Sequence, residues 1–434
     1  GCVSDDYVEF LERFEPNVDW PAMRAQLAAA IEVGSGGRGS LEVCSFEDEF
    51  THKQARDMRF ISLLNIPEDV MENCEPGLPH INPSVPLRMA PPPKLHGMVL
   101  GGSNSMLQGG WVNLLRRDFG PLAEITNLSV GACTTLMGLF RFLSMPNRPT
   151  EAAVFWEYGI NEFNHLQNGQ SLETMLYHVE WLIQLCIRER RPLIPVVMRT
   201  QYQAGLAEDP YLPHLRKLFN SYRVPMLDVH TLLTVMARGA PDLVQWYSDD
   251  AHYKVDGPLP QRVAEYAMVM HRQARPPVQR PERAAHFDVL DLTLLRPTDA
   301  KEEVFDNSIM RVPFTPFGAE PEIALTGRLI GAAIVTSGSG PAIRFDLGPG
   351  KVLRSISTQV DYGSGTPTRQ LRQLVLSDVG DGAEVAERVV VRAVTPTRKP
   401  QQQTMFCWKA PDEKAPPALD GNGLAALICE TARA

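Results

Sequence analysis

Short polar segments in this chain hold residues whose types suit acyl transfer. In HGMVLGGSNS, an apolar run ends in two glycines and Ser103. A serine hydroxyl is a poor nucleophile at neutral pH, so it needs a histidine to accept its proton and a carboxylate to orient that histidine. The segment YSDDAHY supplies Asp249 and His252, three positions apart. These residues are candidates for a Ser-His-Asp triad, with Asp250 as an alternative to Asp249.

The same reaction needs fixed hydrogen-bond donors for the oxyanion that forms on the carbonyl oxygen. The candidates are the backbone N–H groups of Ser103 and of Gly131 in NLSVGACTT, and the amide of Asn161 in FWEYGINEFN. Removing one such donor commonly lowers the rate by about 100-fold or more. A glycine at 131 lets the backbone approach the substrate, and Gly101 and Gly102 would permit a sharp turn that exposes the serine.

Each candidate, taken alone, also has a structural interpretation. Ser103 could cap a helix, Gly131 could serve a turn, Asn161 could cap the helix after it, and Asp249 with His252 could be solvated loop residues. The combination of all of them favours the catalytic interpretation. Six further residues were placed near the site by position alone: Tyr158, Glu162, Asn164, His165, Gln201 and Tyr253.

The elements between these segments predict how they come together. Short apolar strands alternate with helix-like stretches, which is typical of a parallel sheet covered by helices on both faces. In such sheets the polar segments that follow the strands meet at one edge. The predicted strands are 96–101, 124–130, 152–158, 193–198 and 224–229.

GGSNS, the glycine of NLSVGACTT, YGINE and DDAH, in this order, resemble the four sequence blocks of the SGNH (GDSL-like) hydrolase superfamily. The resemblance covers about 95–272. It implies a three-layer α/β hydrolase domain with Ser103 as nucleophile, Asp249 and His252 as the rest of the triad, and Ser103, Gly131 and Asn161 in the oxyanion hole. The sequence departs from the family pattern at Gly102 and Glu162, where the family usually has aspartate.

Composition changes divide the chain into three predicted parts. Residues 1–94 are predicted to form a helical N-terminal region followed by a Pro-rich connector, and 95–275 the α/β domain. After a polar, proline-rich stretch, 284–434 should form a β-rich accessory domain that resembles a sandwich. Its strand-like stretches include 287–295 and 352–362.

The totals limit the classes of partner. The 434 residues are 44% hydrophobic and 21% charged, as in ordinary globular proteins, and the net charge of -9 argues against nucleic-acid binding. No apolar run of membrane-spanning length and no secretion signal is visible, so a cytoplasmic location is the default expectation, or export if a signal was removed. The seven scattered cysteines include no Cys-x-x-Cys pair. We expect no metal and no organic cofactor.

The sequence therefore predicts a serine esterase that works through an acyl-enzyme intermediate on a small-molecule or glycan ester. By the resemblance, the acyl group is acetyl or another short group on a carbohydrate. An O-acyltransferase that modifies a polysaccharide or glycoside with the same triad is an alternative. A second alternative is an inactive hydrolase fold that binds carbohydrate. The sequence leaves the oligomeric state open.

Overall fold

The computed structural model describes ten ranges of the chain, beginning at Leu95 and ending at Arg433. The predicted N-terminal region and connector, 1–94, lie outside the described residues. Among the helices that are described, none is both long enough and apolar enough to cross a membrane. The described ranges are 95–149, 151–237, 242–297, 302–348, 351–353, 355–360, 369–376, 384–385, 387–395 and 419–433.

Five parallel strands form the first sheet: β1 (Leu95–Gly101), β2 (Ala123–Asn127), β3 (Ala153–Glu157), β4 (Leu193–Val197) and β5 (Leu227–Asp228). Their order across the sheet is β2-β1-β3-β4-β5. Strand β1 pairs in parallel with both β2 and β3, so the polar segments after these three strands are neighbours. Strands β3 and β4 are buried along their whole length, as expected for a sheet with both faces covered.

Ten α-helices within the described residues accompany the strands: α1 (Trp111–Phe119), α2 (Thr135–Leu143), α3 (Gly159–Gln167), α4 (Leu172–Arg188), α5 (Gln201–Ala204), α6 (Leu212–Ser221), α7 (Val229–Met236), α8 (Leu243–Trp246), α9 (Leu259–Gln273) and α10 (Pro281–Phe287).

The parallel sheet lies between two helical layers. Successive side chains of a strand point to opposite faces, and Val99 accordingly packs with α1 and α9, whereas Met98 and Leu100 pack with α2 and α4. This three-layer arrangement confirms the predicted α/β fold.

The described residues of the C-terminal half contain eleven strands: β6 (Leu290–Leu295), β7 (Glu303–Asp306), β8 (Arg311–Pro316), β9 (Glu322–Ala324), β10 (Gly327–Thr336), β11 (Ala342–Asp346), β12 (Ile356–Ser357), β13 (Gln370–Val375), β14 (Glu384–Val385), β15 (Arg388–Val394) and β16 (Gly423–Ala432). They form two antiparallel sheets. One has the order β13-β10-β16-β8-β7, with β14 beside β10 and β6 beside β16, and the other has the order β12-β11-β15-β9.

The two antiparallel sheets pack face to face. Leu329 of β10 and Leu427 of β16, in one antiparallel sheet, share a hydrophobic cluster with Phe345 of β11 and Val391 of β15, in the other. This is the arrangement of a sandwich. The predicted β-sandwich-like C-terminal domain is confirmed. The predicted domain limits, 95–275 and 284–434, stay a prediction.

The sandwich also packs against the α/β half. Ile428 of β16 belongs to the same hydrophobic cluster as Phe140 of α2 and Trp181 of α4. The ring of Phe287, at the end of α10, meets Trp181 edge-on at a centroid distance of 4.9 Å. The layer formed by α2 and α4 is therefore covered by the parallel sheet on one side and by the sandwich on the other.

Several predicted strands are shorter in the structure. The strand expected at 224–229 is reduced to β5, because the carboxylate of Asp228 accepts the N–H groups of His230 and Thr231 and so starts α7. The strand expected at 124–130 ends at Asn127, whose side chain accepts the N–H of Ser129.

Two C-terminal stretches also differ from the prediction. The stretch 287–295 begins with the last residue of α10, so that its strand starts only at Leu290. The stretch 352–362 contributes only Ile356–Ser357 as a strand, and its last two residues lie outside the described ranges.

Candidate active site

The nucleophile segment begins where β1 ends. Gly102 links the strand to a single 3₁₀ turn, Ser103–Ser105, and the carbonyl of Ser103 accepts the N–H groups of Met106 and Leu107. Ser103 is therefore not the cap of an α-helix. Its hydroxyl oxygen lies 2.7 Å from Nε2 of His252 instead.

The predicted triad residues form one chain of hydrogen bonds. Nδ1 of His252 lies 2.8 and 2.9 Å from the two carboxylate oxygens of Asp249. The same carboxylate accepts the backbone N–H groups of Ala251 and His252, at 2.8 and 2.9 Å, so that it is fixed within its own turn. The structure thus brings Ser103, His252 and Asp249 together, and their catalytic roles stay a prediction.

The carboxylate of Asp249 is held in its ionised form. Partial burial on its own would raise the pKa of Asp249, but the hydrogen bonds from the His252 side chain and from the Ala251 N–H outweigh it, so the pKa lies below its usual value. The pair is open to solvent, since 59% of the Asp249 side chain and 30% of the His252 side chain are exposed. A large substrate can therefore approach it.

Asp250, the alternative carboxylate, has a different partner. Its side chain accepts the N–H of Tyr202 at 2.8 Å, and its carbonyl accepts the N–H of Gln201 at 2.7 Å. We call residues 248–253, which carry Asp249 and His252, the triad loop. These bonds attach the first turn of α5 to the triad loop. Of the two neighbouring aspartates, Asp249 is the one that contacts His252.

Asn104 connects the nucleophile segment to the triad loop, and sequence reasoning missed it. Its side-chain amide donates to the carbonyl of Ala251 at 2.8 Å, and its side-chain oxygen accepts the N–H of Tyr253 at 3.1 Å. It is 4% exposed. These two bonds hold the backbone on either side of His252, so Asn104 sets the distance between the imidazole and Ser103.

The two glycines before the serine are required for space. The prediction assigned them to a sharp turn, but Gly102 has an ordinary negative φ of -89°. A Cβ atom on Gly101 would lie 2.5 Å from the hydroxyl of Ser105, and one on Gly102 would lie 2.5 Å from the amide nitrogen of Asn161. A side chain at Gly102 would require the Asn161 side chain to move.

The three predicted oxyanion donors surround the nucleophile. The Asn161 amide nitrogen donates one hydrogen to the carbonyl of Cys133 at 2.7 Å and has a second to offer. A Cβ atom on Gly131 would lie 3.6 Å from Cβ of Ser103, so the Gly131 backbone lies close to the nucleophile. Within the described ranges, the N–H groups of Ser103 and Gly131 donate to no protein acceptor.

Two buried carboxylates support the segments that carry these groups. Glu157, at the end of β3, accepts the N–H of Gly102 at 3.1 Å and the hydroxyl of Ser105 at 2.8 Å. Glu162 accepts the N–H of Thr135 at 2.9 Å. Burial raises the pKa of each carboxyl to about 7.

Most of the residues placed near the site by position alone do not line an open surface. Tyr158, Glu162, His165 and Tyr253 are buried. Sequence reasoning missed an exposed aromatic residue beside Asp250: Tyr202 is 57% exposed, and its ring packs on that of Phe163 of α3 at a centroid distance of 6.2 Å. Nothing in the local sequence distinguishes Tyr202 from a surface residue. Within the described ranges, no three His, Cys, Asp or Glu side chains are grouped to hold a metal ion.

Comparison with known proteins gives matches in structure. No family model matches the chain, and no curated protein matches its sequence. A two-domain esterase active on acetylated mannans is similar in structure, with a TM-score of 0.51 and 14% identity over 79% of this chain and 92% of that chain. The structure of a two-domain esterase co-crystallised with mannopentaose gives the same values.

A smaller match covers less than half of this chain. A member of the lipolytic protein G-D-S-L family from Veillonella parvula is 15% identical, with a TM-score of 0.33 over 40% of this chain and 96% of that chain. The likeness to the two-domain esterase shows the fold, and at 79% coverage it extends over both halves of the described chain. This chain therefore shares the fold of that two-domain esterase, with a three-layer α/β half joined to a C-terminal β-sandwich.

Proposed function

We propose that this chain is a serine esterase that removes acetyl or other short acyl groups from a carbohydrate. The observation that carries the proposal is the chain of hydrogen bonds from Asp249 through His252 to Ser103, beside N–H groups that have no protein acceptor in the described ranges. Such a set matches what ester cleavage requires.

In the first half-reaction, Nε2 of His252 takes the proton of Ser103 as the serine oxygen bonds to the ester carbonyl carbon. The negative charge that develops on the carbonyl oxygen is stabilised by the N–H groups of Ser103 and Gly131 and by the Asn161 amide. The bond to the alcohol then breaks, the alcohol takes the proton from His252, and the serine keeps the acyl group.

In the second half-reaction, water replaces the alcohol. His252 takes a proton from the water as its oxygen attacks the acyl-enzyme, and the serine recovers that proton when the carboxylic acid leaves. Asp249 orients the imidazole and stabilises its positive charge in both halves. Every step uses side chains and backbone groups of this chain, so the mechanism requires no cofactor.

A carbohydrate substrate has two supports. The similar two-domain esterase is active on acetylated mannans, and in this chain the backbone N–H of Tyr202, a residue that is 57% exposed, donates to Asp250 beside the triad. An exposed aromatic face beside a polar site suits a sugar ring, which has an apolar face and polar edges.

The test compares wild type with Ser103→Ala on a chromogenic acetyl ester and then on a panel of acetylated glycans. Ser103→Ala should lower kcat by at least about 10³-fold, since the nucleophile is lost. Ser144→Ala is the matched control, because the Ser144 hydroxyl has no hydrogen-bond partner in the described ranges and lies at the far end of α2. Equal activity of Ser103→Ala and wild type would overturn the proposal.

The same assays separate the two alternatives. Sugar-dependent transfer from an acyl donor, at the expense of hydrolysis, would replace the esterase proposal with an O-acyltransferase. A wild type that releases no acyl group from any ester but binds glycans would replace it with a carbohydrate-binding function.

A further inference from the structure

The loop that carries Gly131 has an unusual backbone. We call residues 131–134, the last part of the connection between β2 and α2, the oxyanion loop. Ala132 in this loop has a φ of +54°, the left-handed region that side-chain-bearing residues rarely adopt. That conformation is unfavourable for a residue with a side chain, so contacts elsewhere must hold it.

Those contacts come from the β-sandwich. Ala132 is a member of the hydrophobic cluster at the centre of the sandwich, and all the other buried members of that cluster come from residues 317–429. A Cβ atom on Gly331 of β10 would lie 2.7 Å from the Leu136 side chain, so β10 lies directly on the first turn of α2. The sandwich therefore packs against the loop and against the first turn of α2.

Two polar side chains of β13 also form hydrogen bonds with the loop. Arg372 donates to the carbonyl of Gly131 at 2.8 Å. Gln373 accepts the N–H groups of Thr134 and Met137, both at 3.0 Å, and donates to the Thr134 hydroxyl at 2.7 Å. Arg372 and Gln373 are 5% and 2% exposed. Because Thr134 makes no side-chain cap of its own, Gln373 caps α2 from the other half of the molecule.

These bonds restrain the residue that carries the predicted donor. The carbonyl of Gly131 and the N–H of Gly131 belong to the same residue, so holding the carbonyl limits the direction in which the N–H can point. The guanidinium of Arg372 also brings a buried positive charge to the loop, which favours an oxyanion in its vicinity. Misplacing a catalytic group by about 1 Å can cost about 10²-fold in rate.

We propose that Arg372 and Gln373 are positioning residues for ester cleavage: they hold the oxyanion loop in its active shape, so the β-sandwich is a working part of the active site. This inference rests on the proposed esterase function. It assigns the sandwich a role in the chemical step that is separate from any binding of substrate.

The experiment measures kcat and KM on a chromogenic acetyl ester for Arg372→Met and Gln373→Met, with the concentration of reactive serine titrated by a covalent phosphonate. Each variant should lower kcat by about 10- to 100-fold. KM should change by less than about threefold, because the lost interaction acts in the transition state. Arg372→Lys and Gln373→Glu should recover part of kcat, since they keep the charge at 372 and the acceptor at 373.

The matched control removes a hydrogen bond across the same interface but far from the loop. The Tyr177 hydroxyl donates to Glu430 of β16 at 2.5 Å and lies 2.9 Å from Nε2 of His286, and neither partner is a triad or oxyanion residue. Tyr177→Phe should leave kcat within about twofold while lowering the thermal midpoint slightly, as expected for one lost hydrogen bond.

The outcomes are distinguishable. If wild type hydrolyses the ester and the Arg372 and Gln373 variants, including the conservative ones, match Tyr177→Phe in kcat, the positioning role is wrong while the esterase function stands. If wild type hydrolyses no ester, the proposed function fails, and the positioning role fails with it. If Arg372→Met or Gln373→Met does not fold, Arg372→Lys and Gln373→Glu decide the question by the same comparison.

Discussion

The two sides of the candidate active site are held in place by different parts of the molecule. On the triad side, Asn104 and Asp249 hold the His252 loop with hydrogen bonds made entirely within the α/β half. On the opposite side, the oxyanion loop takes polar support from Arg372 and Gln373 of the sandwich as well as from Asn161 of α3, which donates to the Cys133 carbonyl. The triad side is open to water, whereas the supports of the oxyanion loop are buried.

This difference indicates that the proton-transfer groups and the oxyanion donors depend on different parts of the molecule. Changes on the triad side should remove or misdirect the proton transfer. Changes in the sandwich should leave the proton transfer intact and weaken the stabilisation of the oxyanion. Three further predictions test the triad side of this comparison, beginning with the largest expected effect.

The pair of neighbouring aspartates offers the largest contrast. Asp249→Asn should lower kcat by about 10²- to 10³-fold, less than the roughly 10⁴-fold known for buried triad aspartates, because 59% of the Asp249 side chain is exposed. Asp250→Asn is the matched control and should stay within about threefold, since Asp250 binds α5. Steady-state kinetics on the chromogenic ester decide, and similar losses in both variants would remove the distinction drawn here.

The next largest effect on kcat is expected at Asn104. Its two side-chain hydrogen bonds to the backbone on either side of His252 form a clamp on that loop. Asn104→Ala removes both bonds to the His252 loop, and kcat should fall by about 10²-fold because the imidazole is no longer held at the serine. Asn104→Asp keeps the acceptor for the Tyr253 N–H and should lose less. The rate of serine labelling by the phosphonate measures the same misplacement, and an Asn104→Ala variant that is labelled as fast as wild type would refute the clamp.

The smallest effect is expected at Glu157, and it is an effect on stability. Burial raises its pKa to about 7 in the folded state, above the ordinary 4.5. The folded protein therefore binds a proton that the unfolded chain has lost between these values, and this contribution to stability is complete below about 4.5 and is lost as pH rises to about 7. Glu157→Gln removes the titration, so the thermal midpoint of wild type minus that of the variant should decrease by a few degrees from pH 5 to pH 8.

Comparing the two proteins at each pH cancels groups that titrate in the opposite sense. Burial lowers the pKa of His165 and of His271 to about 4, so both histidines remove stability as pH falls below about 6.5 in wild type and variant alike. A difference in midpoint that does not change with pH would show that Glu157 is ionised in the folded protein throughout.

The sequence was informative where a local pattern decides the structure. The alternation of strands and helices predicted the parallel sheet, and the order of polar segments after the strands predicted which residues meet at its edge. Both follow from periodicity and topology, which a single sequence displays. The spacing of Asp249 and His252 likewise suffices for their contact, because the turn between them is closed by its own backbone N–H groups.

The sequence was uninformative where two distant residues must be paired. Asn104 bonds to residues 147 and 149 positions away, and Glu157 bonds to Ser105 across 52 positions. Sequence periodicity does not predict such pairs, because the local sequence around each partner is also compatible with other hydrogen-bond partners. The glycine at 102 shows the same limit: its need for space arises from Asn161, which the chain brings against it only on folding.

The support of the oxyanion loop has a consequence for the order of events during synthesis. Gln373 follows Thr134 by 239 positions, which a ribosome needs roughly 10 to 50 s to add. Throughout that interval the nascent chain already contains Ser103, while the strand that steadies the oxyanion loop has not been made. On our proposal, esterase activity therefore appears late, only after β13 has been synthesised and has docked onto the α/β half that was made before it.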